Sequence, residues 1–347
     1  MTAPSRPARG LAVAASVVLA ALIACAPFRS GLPETSVDGL TLRALPVALH
    51  LENRAATRLG KLAWRGGLSL SANDALFGGW SDLWVAADGT GFRAVSDQGA
   101  WLAAQMRYDS AGRLLGIGGG GFGRLKAPDG SWLAGKRASD AESLAMLPDG
   151  SLLVGFERRH RILRYPAGEE RRDGGLAGTP TVFPAPPGLA GAPSNEGLEA
   201  MTVLADGRLF LLTESHMVKP GTTAGWVGAL RAGAPAWSPF HYTLVDGFRP
   251  TAAATLPDGD IVLLERTVSM PGGWRVRVMR LRTSTLAPGA VVRADELARL
   301  ETPWVTENLE GIAARRGPGG ETLLWLISDD NFSTWQHTVL LHFALVE

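Results

Sequence analysis

Asn308-Leu309-Glu310-Gly311-Ile312-Ala313 opens a sequence pattern that recurs along most of the chain, and this repetition indicates the fold. An acidic residue beside a small one leads an apolar run, a Gly-rich turn follows, and a second apolar run ends in acid at Ser328-Asp329-Asp330-Asn331. Close copies contain Asp140-Ala141-Glu142-Ser143 and Asn195-Glu196-Gly197-Leu198-Glu199, and weaker ones start at Thr251 and Ser81. An Asp-Gly pair between two apolar runs predicts a hairpin, because glycine tolerates the positive φ of tight turns.

The repeats are spaced like the blades of a β-propeller. The anchor residues Ser81, Glu142, Glu199, Thr251 and Glu310 are 61, 57, 52 and 59 residues apart, which suits one four-stranded blade with variable loops. We therefore expect an all-β fold consisting of a single propeller. The length favours six blades, the sixth built from residues 39–45 and 61–64 and closed by residues 338–343. Such closure between strands of the two termini would leave no free sheet edge in the ring.

The N-terminal segment has the pattern of an export signal. Arg6 and Arg9 precede an apolar run over residues 11–23, which is too short to cross a bilayer as a mature helix. Leu22-Ile23-Ala24-Cys25 matches the lipobox of bacterial lipoproteins, in which the cysteine is acylated and becomes the first mature residue. Cys25 is the only cysteine of the chain, so it has no partner for an intrachain disulfide. The alternative is a small apolar cysteine inside an ordinary signal peptide.

These features predict three segments and a location. Residues 1–24 are the predicted lipoprotein signal peptide, residues 25–37 a tether and residues 38–347 the propeller. The mature protein is then lipid-anchored through Cys25 in the cell envelope and faces the periplasm. Ala26 is not the aspartate that retains lipoproteins in the inner membrane, which favours the outer membrane.

Composition and missing motifs exclude several functions. The formal net charge is only +1, so the chain lacks the basic surface that drives nucleic-acid binding. It contains no phosphate-binding loop, nucleophile elbow, HExxH pair or CxxC pair. Gly116 to Gly121 fits the dinucleotide pattern GxGxxG, but no helix pattern follows, and we interpret it as a flexible loop. The expected partner is a small molecule, and the expected state is a monomer.

The recurring acids suggest a cation site. The innermost strand of each blade lines the central channel, so acids at equivalent blade positions converge there. A hard cation such as Ca²⁺ relieves the repulsion between carboxylates without needing Cys or His ligands. We predict Glu142, Glu199, Glu310 and Asp329 as metal ligands, and Glu199, Glu310 and Asp329 also as catalytic residues. The wider set of candidate acids is Asp82, Asp97, Glu157, Glu196, Glu214, Glu265 and Asp330.

Two other roles remain open for these acids and their basic neighbours. Some of the acids would only accept hydrogen bonds that lock blade to blade. Arg158, Arg266 and Lys219 are candidates for binding a phosphate, since a guanidinium forms bidentate contacts with it. The pairs Glu157-Arg158 and Glu265-Arg266 alternate faces along a strand, so their arginines are alternatively inter-blade clamps. His160 and His216 lie near acids, although a loop histidine is more often solvent-exposed.

Three longer phrases resemble a known family. They are Asn195 to Met201, Ile261 to Thr267 with Gly272 to Arg277, and Asn308 to Ile312 with Leu326 to Phe332. Together they look like the phytase-like domain, or esterase-like activity of phytase, of bacterial exported proteins, over roughly Val37 to Val346. The resemblance implies a propeller and, by family name, hydrolysis of phosphoesters or esters. The chain lacks the Asp-Asp-Pro-Ala and paired-Asn signatures of the calcium-dependent β-propeller phytases.

Three functions are compatible with these observations. The first is a Ca²⁺-dependent hydrolase of phosphate esters, in which the metal binds substrate oxygens and activates water. The second is a lactonase-like propeller hydrolase, in which a metal held by Glu and Asn polarises an ester carbonyl. The third is a non-catalytic envelope module that binds a ligand or a protein. Since propellers host all three, the geometry of the acids has to discriminate: free carboxylates favour hydrolysis, and acids all paired with Arg or Lys favour the binding module.

Overall fold

Antiparallel hairpins account for almost all regular structure in this computed structural model, which describes residues 35–37, 40–168, 174–230, 235–270 and 272–346. The predicted signal peptide and Cys25 lie outside the described residues. Among the described residues, no helix is long and apolar enough to cross a bilayer. The four N-terminal strands are β1 (Thr35–Val37), β2 (Leu40–Pro46), β3 (Arg58–Leu59) and β4 (Leu62–Ala72).

Three four-stranded blades follow, the third with one added strand. Blade 1 consists of β5 (Trp80–Val85), β6 (Gly91–Ser96), β7 (Ala100–Tyr108) and β8 (Leu114–Arg124). A short helix α1 (Lys136–Ser139) leads into blade 2, which consists of β9 (Ala141–Met146), β10 (Leu152–Phe156), β11 (Arg161–Tyr165) and β12 (Thr181–Phe183). A 3-10 turn (Pro187–Gly191) leads into blade 3, which consists of β13 (Leu198–Val203), β14 (Leu209–Thr213), β15 (Thr222–Ala229) and β16 (Ala236–Thr243).

Two further blades complete the ring. Blade 4 consists of β17 (Arg249–Thr255), β18 (Ile261–Ser269), β19 (Gly273–Leu281) and β21 (Asp295–Leu300); a 3-10 turn (Thr283–Thr285) and β20 (Val291–Val292) lie between its last two strands. The short β20 pairs with β16 and extends blade 3. Blade 5 begins with β22 (Asn308–Arg316), β23 (Thr322–Asp329) and β24 (Thr338–Leu345), and continues outward through β4, β2 and β1.

The ring contains five blades, so the prediction of six was wrong. The innermost strands β5, β9, β13, β17 and β22 contact one another in a closed cycle. The residues expected to build a sixth blade instead extend blade 5, because β24 pairs with β23 on one side and with β4 on the other. None of the N-terminal strands β1 to β4 is an innermost strand that begins with an acid. They form only the outer part of blade 5. The all-β single propeller and its closure by strands from both ends of the chain are as expected.

Five apolar clusters fill the five interfaces between blades. The cluster between blades 5 and 1 contains Trp80 and Trp325, and the one between blades 4 and 5 contains Leu264 and Phe343. The other three clusters lie between blades 1 and 2, 2 and 3, and 3 and 4. Each blade therefore buries both faces against its neighbours, and the channel at the centre is left for polar groups.

The glycine run 116–121 is not a loop, contrary to our interpretation of the sequence. It lies inside β8, whose pairing with β7 is interrupted by an irregularity between Ala104 and Gln105. Gly120 there has a φ of +116°, and a Cβ at this position would lie 1.9 Å from the Ala103 carbonyl oxygen. Only glycine permits this approach of the two strands.

Candidate functional site

A β-bulge occurs at the same position in all five innermost strands. The bulged residues, which have no partner in the ladder, are Ser81, Glu142, Glu199, Thr251 and Glu310. They are the five anchors of the sequence repeat. A bulge re-aims the side chain of its extra residue, and here it does so where each inner strand begins. Three of the five side chains are carboxylates.

The innermost strands begin, and the second strands of the blades end, at the same end of the ring, which we call the site face. The loops β6–β7, β10–β11, β14–β15, β18–β19 and β23–β24 all lie on this face, because they follow the second strand of each blade. The Asp-Gly turns of the repeats lie on the opposite face. Acids from the start of the first strand and from the end of the second strand are therefore brought together.

The three bulge carboxylates are deeply buried and close to one another. Glu142, Glu199 and Glu310 are 7%, 4% and 5% exposed. Burial raises the pKa of all three, and the mutual repulsion of their charges adds to it for Glu142 and Glu199. Carboxylates in such an environment favour any partner that carries positive charge, whether a proton or a cation.

Three second-strand carboxylates join them. Burial raises the pKa of Glu157 to about 7 and that of Asp329 to about 8, and it also raises the pKa of Glu214. The backbone N–H of Gly197 donates to Glu157 Oε1. A side chain at Gly197 would collide with His160 and approach Glu157 Oε1, so glycine in the Asn-Glu-Gly-Leu-Glu phrase makes room for this contact.

Asn308 lies between two of the carboxylates. Its Nδ2 donates to Glu310 Oε1 at 2.8 Å and to Asp329 Oδ2 at 3.3 Å. The side chain is 1% exposed, and its Oδ1 has no hydrogen-bond partner. Burying a carbonyl oxygen without a hydrogen-bond partner costs free energy of folding. The Asn308 side chain cannot turn this oxygen elsewhere without losing the hydrogen bonds of its Nδ2 to Glu310 and Asp329.

Basic side chains neutralise the blade 1 and blade 2 side of the cluster. Lys136 Nζ lies 2.5 Å from Asp97 Oδ2 and also contacts Asp140, and Arg158 Nε lies 2.7 Å from Asp140 Oδ2. The side chains of Lys136 and Arg158 are each 35% exposed. Arg158 has a φ of +51°, which is unusual for a non-glycine residue. Both cations are therefore fixed by buried acids while remaining accessible from solvent.

Arg266 neutralises the opposite side. Its Nη2 lies 3.0 Å from Glu310 Oε1 and 3.8 Å from Glu214 Oε1, and its guanidinium is over the ring of Trp274. Blades 3, 4 and 5 are thereby joined through one side chain, so Arg266 is an inter-blade clamp. It reaches the predicted ligand Glu310 but is less exposed than Arg158.

The cluster as a whole has an excess of negative charge. Its eight acids face three bases, Lys136, Arg158 and Arg266, which leaves an excess of five negative charges when all groups are ionised. One oxygen from each of Asp140, Glu142 and Glu157 lies within 4.8 Å of the others, close enough to share a metal ion. The eight acids are Asp97, Asp140, Glu142, Glu157, Glu199, Glu214, Glu310 and Asp329.

Other candidate acids have purely structural partners. Asp82 accepts the backbone N–H groups of Leu83 and Leu144, both at 2.8 Å, and thus links blades 1 and 2. Asp330 accepts the N–H of Gly79 at 3.0 Å. Glu265 accepts the Tyr242 hydroxyl at 2.6 Å and lies 2.5 Å from an Arg277 nitrogen, so it faces away from Arg266 and the channel.

The remaining predicted residues lie outside the cluster. Lys219 is exposed on the β14–β15 loop. His216 stacks on Trp226, and His160 lies 3.1 to 3.2 Å from the carbonyl oxygens of residues 192 and 193. Sequence reasoning missed Lys136, Asp140 and Asn308 as site residues. Asp140 and Asn308 each stand two residues before an anchor acid, and this shared position is a sequence signal that could have identified them. Lys136 has no such signal in the sequence.

The family model described as "Phytase-like: Esterase-like activity of phytase" matches residues 75–332, which is well over half of the chain. A comparison with curated proteins finds no match.

Several solved structures match this chain at low similarity. An α-L-arabinofuranosidase from Podospora anserina, solved with cellotriose, is 15% identical with a TM-score of 0.48, covering 82% of this chain and 97% of its own. A protein of unknown function from Dyadobacter fermentans is 14% identical with a TM-score of 0.44, covering 90% and 93%. A PQQ-bound aldose sugar dehydrogenase from Streptomyces coelicolor is 13% identical with a TM-score of 0.42, covering 88% and 98%. None of them informs the chemistry of this site.

Proposed function

Because the chain belongs to the phytase-like family, we propose that its channel carboxylates hold a divalent cation with which the protein hydrolyses phosphate esters or related esters. The observation that carries this proposal is the excess of buried carboxylates over bases at the site face. Ca²⁺ is the cation of choice, because every donor available is an oxygen and Ca²⁺ accepts six to eight of them in flexible geometry.

The donor set fits such a cation at several points. Glu142, Glu199 and Asp329 form no ion pair with Lys or Arg among the described residues, so their charge is available. Asn308 has an unpaired buried oxygen beside Glu310 and Asp329, and amide oxygens are Ca²⁺ ligands. Carboxylates that are not paired with Arg or Lys can bind a cation, so these free groups favour hydrolysis over a pure binding module.

The residues around the cation have separate roles. When bound, the cation supplies Lewis acidity and lowers the pKa of a bound water. Burial raises the pKa values of Glu199 and Asp329 in the metal-free protein, and whichever of the two does not bind the cation would accept and return the proton. Arg158 and Lys136 are the accessible cations, held in place by Asp140, and they bind the anionic oxygens of a phosphate. Arg266 opposes the rise that burial causes in the pKa of Glu310, and its ion pair fixes the position of Glu310 between the blades.

We also propose that the protein is a lipoprotein of the cell envelope, anchored through Cys25. The support is the sequence Leu22-Ile23-Ala24-Cys25 and the absence of any other cysteine. Mass spectrometry of the mature N-terminus tests this: a diacylglyceryl-modified Cys25 is expected. A mature form that starts elsewhere, or an unmodified Cys25, contradicts it.

One set of measurements tests the cation and the reaction together. The purified chain is analysed for bound metal, melted with Ca²⁺ and with chelator, and assayed on a phosphate ester, a carboxylic ester and a lactone. A ligand that binds only the folded state at a hundredfold excess over Kd stabilises it by about 2.7 kcal/mol. Glu199→Gln and Glu310→Gln are expected to abolish this stabilisation, while Asp206→Asn on the opposite face retains it.

The outcomes separate the possible functions. Melting that is the same with Ca²⁺, with other divalent metals and with chelator would remove the cation and the hydrolase mechanism with it. Stabilisation that Glu199→Gln abolishes, with no turnover of any ester, would instead identify a binding module. Turnover of the lactone alone would favour the lactonase-like reaction.

A further inference from the structure

Exposed apolar side chains are concentrated on one part of the site face. Six of the twelve large apolar side chains that are exposed among the described residues lie on or beside the site-face loops between the second and third strands of three consecutive blades. Met270 is 95% exposed and Trp335 is 81% exposed. The six are Met217 and Val218 on the β14–β15 loop, Val268 and Met270 on the β18–β19 hairpin, and Phe332 and Trp335 on the β23–β24 loop. We call this set the apolar rim.

Among the described residues of the loops that join the second and third strands, exposed large apolar residues occur only in blades 3, 4 and 5; another such residue, Trp132, lies on the connection from blade 1 to blade 2. The corresponding loops of blades 1 and 2 consist of Asp97-Gln98-Gly99 and Glu157-Arg158-Arg159-His160. Turns on the opposite face are polar, as at Asp206-Gly207. Exposed apolar groups gathered on one face mark an interaction site. Trp335 is the residue type that prefers the boundary between water and lipid.

The N-terminal end of the described chain lies at the same face. Thr35 pairs with Leu42, Leu42 pairs with Ala72, and Ala72 ends β4 where the chain turns toward the inner strand of blade 1. Thr41 N–H donates to Asn73 Oδ1 at 2.8 Å and fixes this end. Residues 26–34 alone separate Cys25 from Thr35, and ten residue steps reach at most about 35 Å when fully extended.

We propose that the site face rests on the lipid bilayer, with the apolar rim in the headgroup region and the channel mouth toward the membrane. This inference rests on the proposed anchor at Cys25, since the short connection holds the Thr35 end of the domain close to the lipid. Lys219 follows Val218 on the rim and is exposed, so its ammonium can reach lipid phosphates while the rim residues lie deeper. The substrate class that follows is an amphiphilic ester presented by the membrane.

Site-directed spin labelling of the lipidated full chain tests the orientation. Acylation blocks the Cys25 thiol, so an introduced cysteine is the single labelling site. Labels are placed at Trp335→Cys and Met270→Cys on the rim, and at Ala205→Cys on the opposite face as the control. The proteins are reconstituted in vesicles of phosphatidylethanolamine and phosphatidylglycerol at several protein-to-lipid ratios. Collision of each label with lipid-soluble oxygen and with a water-soluble nickel complex is then measured.

The expected result is a shift toward oxygen and away from nickel at positions 335 and 270, with no shift at 205. Water-exposed labels at 335 and 270 in protein that floats with the vesicles would overturn the docking proposal and leave the anchor intact. Two labels per chain and no flotation would instead show that Cys25 is not acylated, and both proposals would fall. Shielding at 335 that increases with the protein-to-lipid ratio would identify a second copy of this chain as the occupant and overturn the membrane as partner.

Discussion

Replacing Glu157 by glutamine should stabilise the metal-free protein at alkaline pH. Glu157 is 4% exposed and contributes to the excess of carboxylates at the site face. Glutamine cannot ionise, and its Oε1 can still accept the N–H of Gly197. The substitution thus removes one buried charge and keeps the shape and the hydrogen bond.

The magnitude follows from the pKa. Burial raises the pKa of Glu157 from 4.5 to about 7, so the folded state holds this proton more tightly than the unfolded state does. The stability that this provides is fully present below pH 4.5 and is lost as the pH rises to about 7. A pKa difference of about 2.5, at about 1.4 kcal/mol for each pKa unit, gives roughly 3 kcal/mol. We therefore expect Glu157→Gln to gain up to about 3 kcal/mol at pH 8 and almost nothing at pH 4.

Urea unfolding in the presence of a chelator measures this difference at both pH values. Asp206→Asn is the control, because it removes an exposed carboxylate from the opposite face and should change stability little at either pH. A variant that is less stable than the natural protein at pH 8, or that gains as much at pH 4, would refute the idea that the buried, ionised carboxylate of Glu157 destabilises the metal-free protein.

Three further predictions concern stability. Glu265→Gln should cost about 3 to 5 kcal/mol in urea unfolding, because it removes the nearer carboxylate of buried Arg277 and leaves the guanidinium with Glu296 at 3.9 Å; a neutral result would show that the Glu265–Arg277 pair contributes nothing. Burial lowers the pKa of His342 to about 3, so its contribution to stability is lost as the pH falls from 6.5 toward 3. Relative to the natural protein, His342→Phe should gain up to about 5 kcal/mol across that window, and a pH-independent difference would contradict this. Deleting residues 338–347 should abolish cooperative unfolding as seen by circular dichroism, since β24 joins β23 to β4, whereas a stable folded remnant would argue against closure by β24.

The sequence predicts the repeating unit well and the number of units poorly. The five anchors coincide with the five bulges, at Ser81, Glu142, Glu199, Thr251 and Glu310. A bulged residue interrupts the alternation of inward and outward side chains along its strand, and it does so at the same position in each blade. The predicted number of blades was wrong because pairing between distant strands such as β4 and β24 leaves no local sequence pattern. The sequence of β4 is that of an ordinary strand and does not show whether it begins a sixth blade or extends blade 5.

The site was predictable in part for the same reason. Acids at repeated positions can be recognised in the sequence, and the structure brings Glu142, Glu199, Glu310 and Asp329 together; their roles as ligands and catalytic residues stay predictions. Which acids are neutralised depends on contacts between distant segments. Lys136 reaches Asp97, and Arg266 reaches Glu310 in the next blade, and neither pairing has a sequence signature. Glu265 carries the same pattern as Glu157 and yet faces Arg277.

The closure of blade 5 sets an order of events for the folding chain. We call the pairing of β4 with β24 the seam: Leu70 pairs with Thr338, and Leu62 with Leu345. Of the strands that the structure describes, β4 is among the first to be synthesised and β24 is the last. Blades 1 to 4 are made of neighbouring hairpins and need only local pairing, whereas the seam requires contacts across most of the chain, which form slowly. Until β24 emerges, β4 has no partner on its inner side, and the ring cannot close. If the chain is exported unfolded, as the proposed lipoprotein anchor implies, the ring would therefore close only after β24 had crossed the membrane.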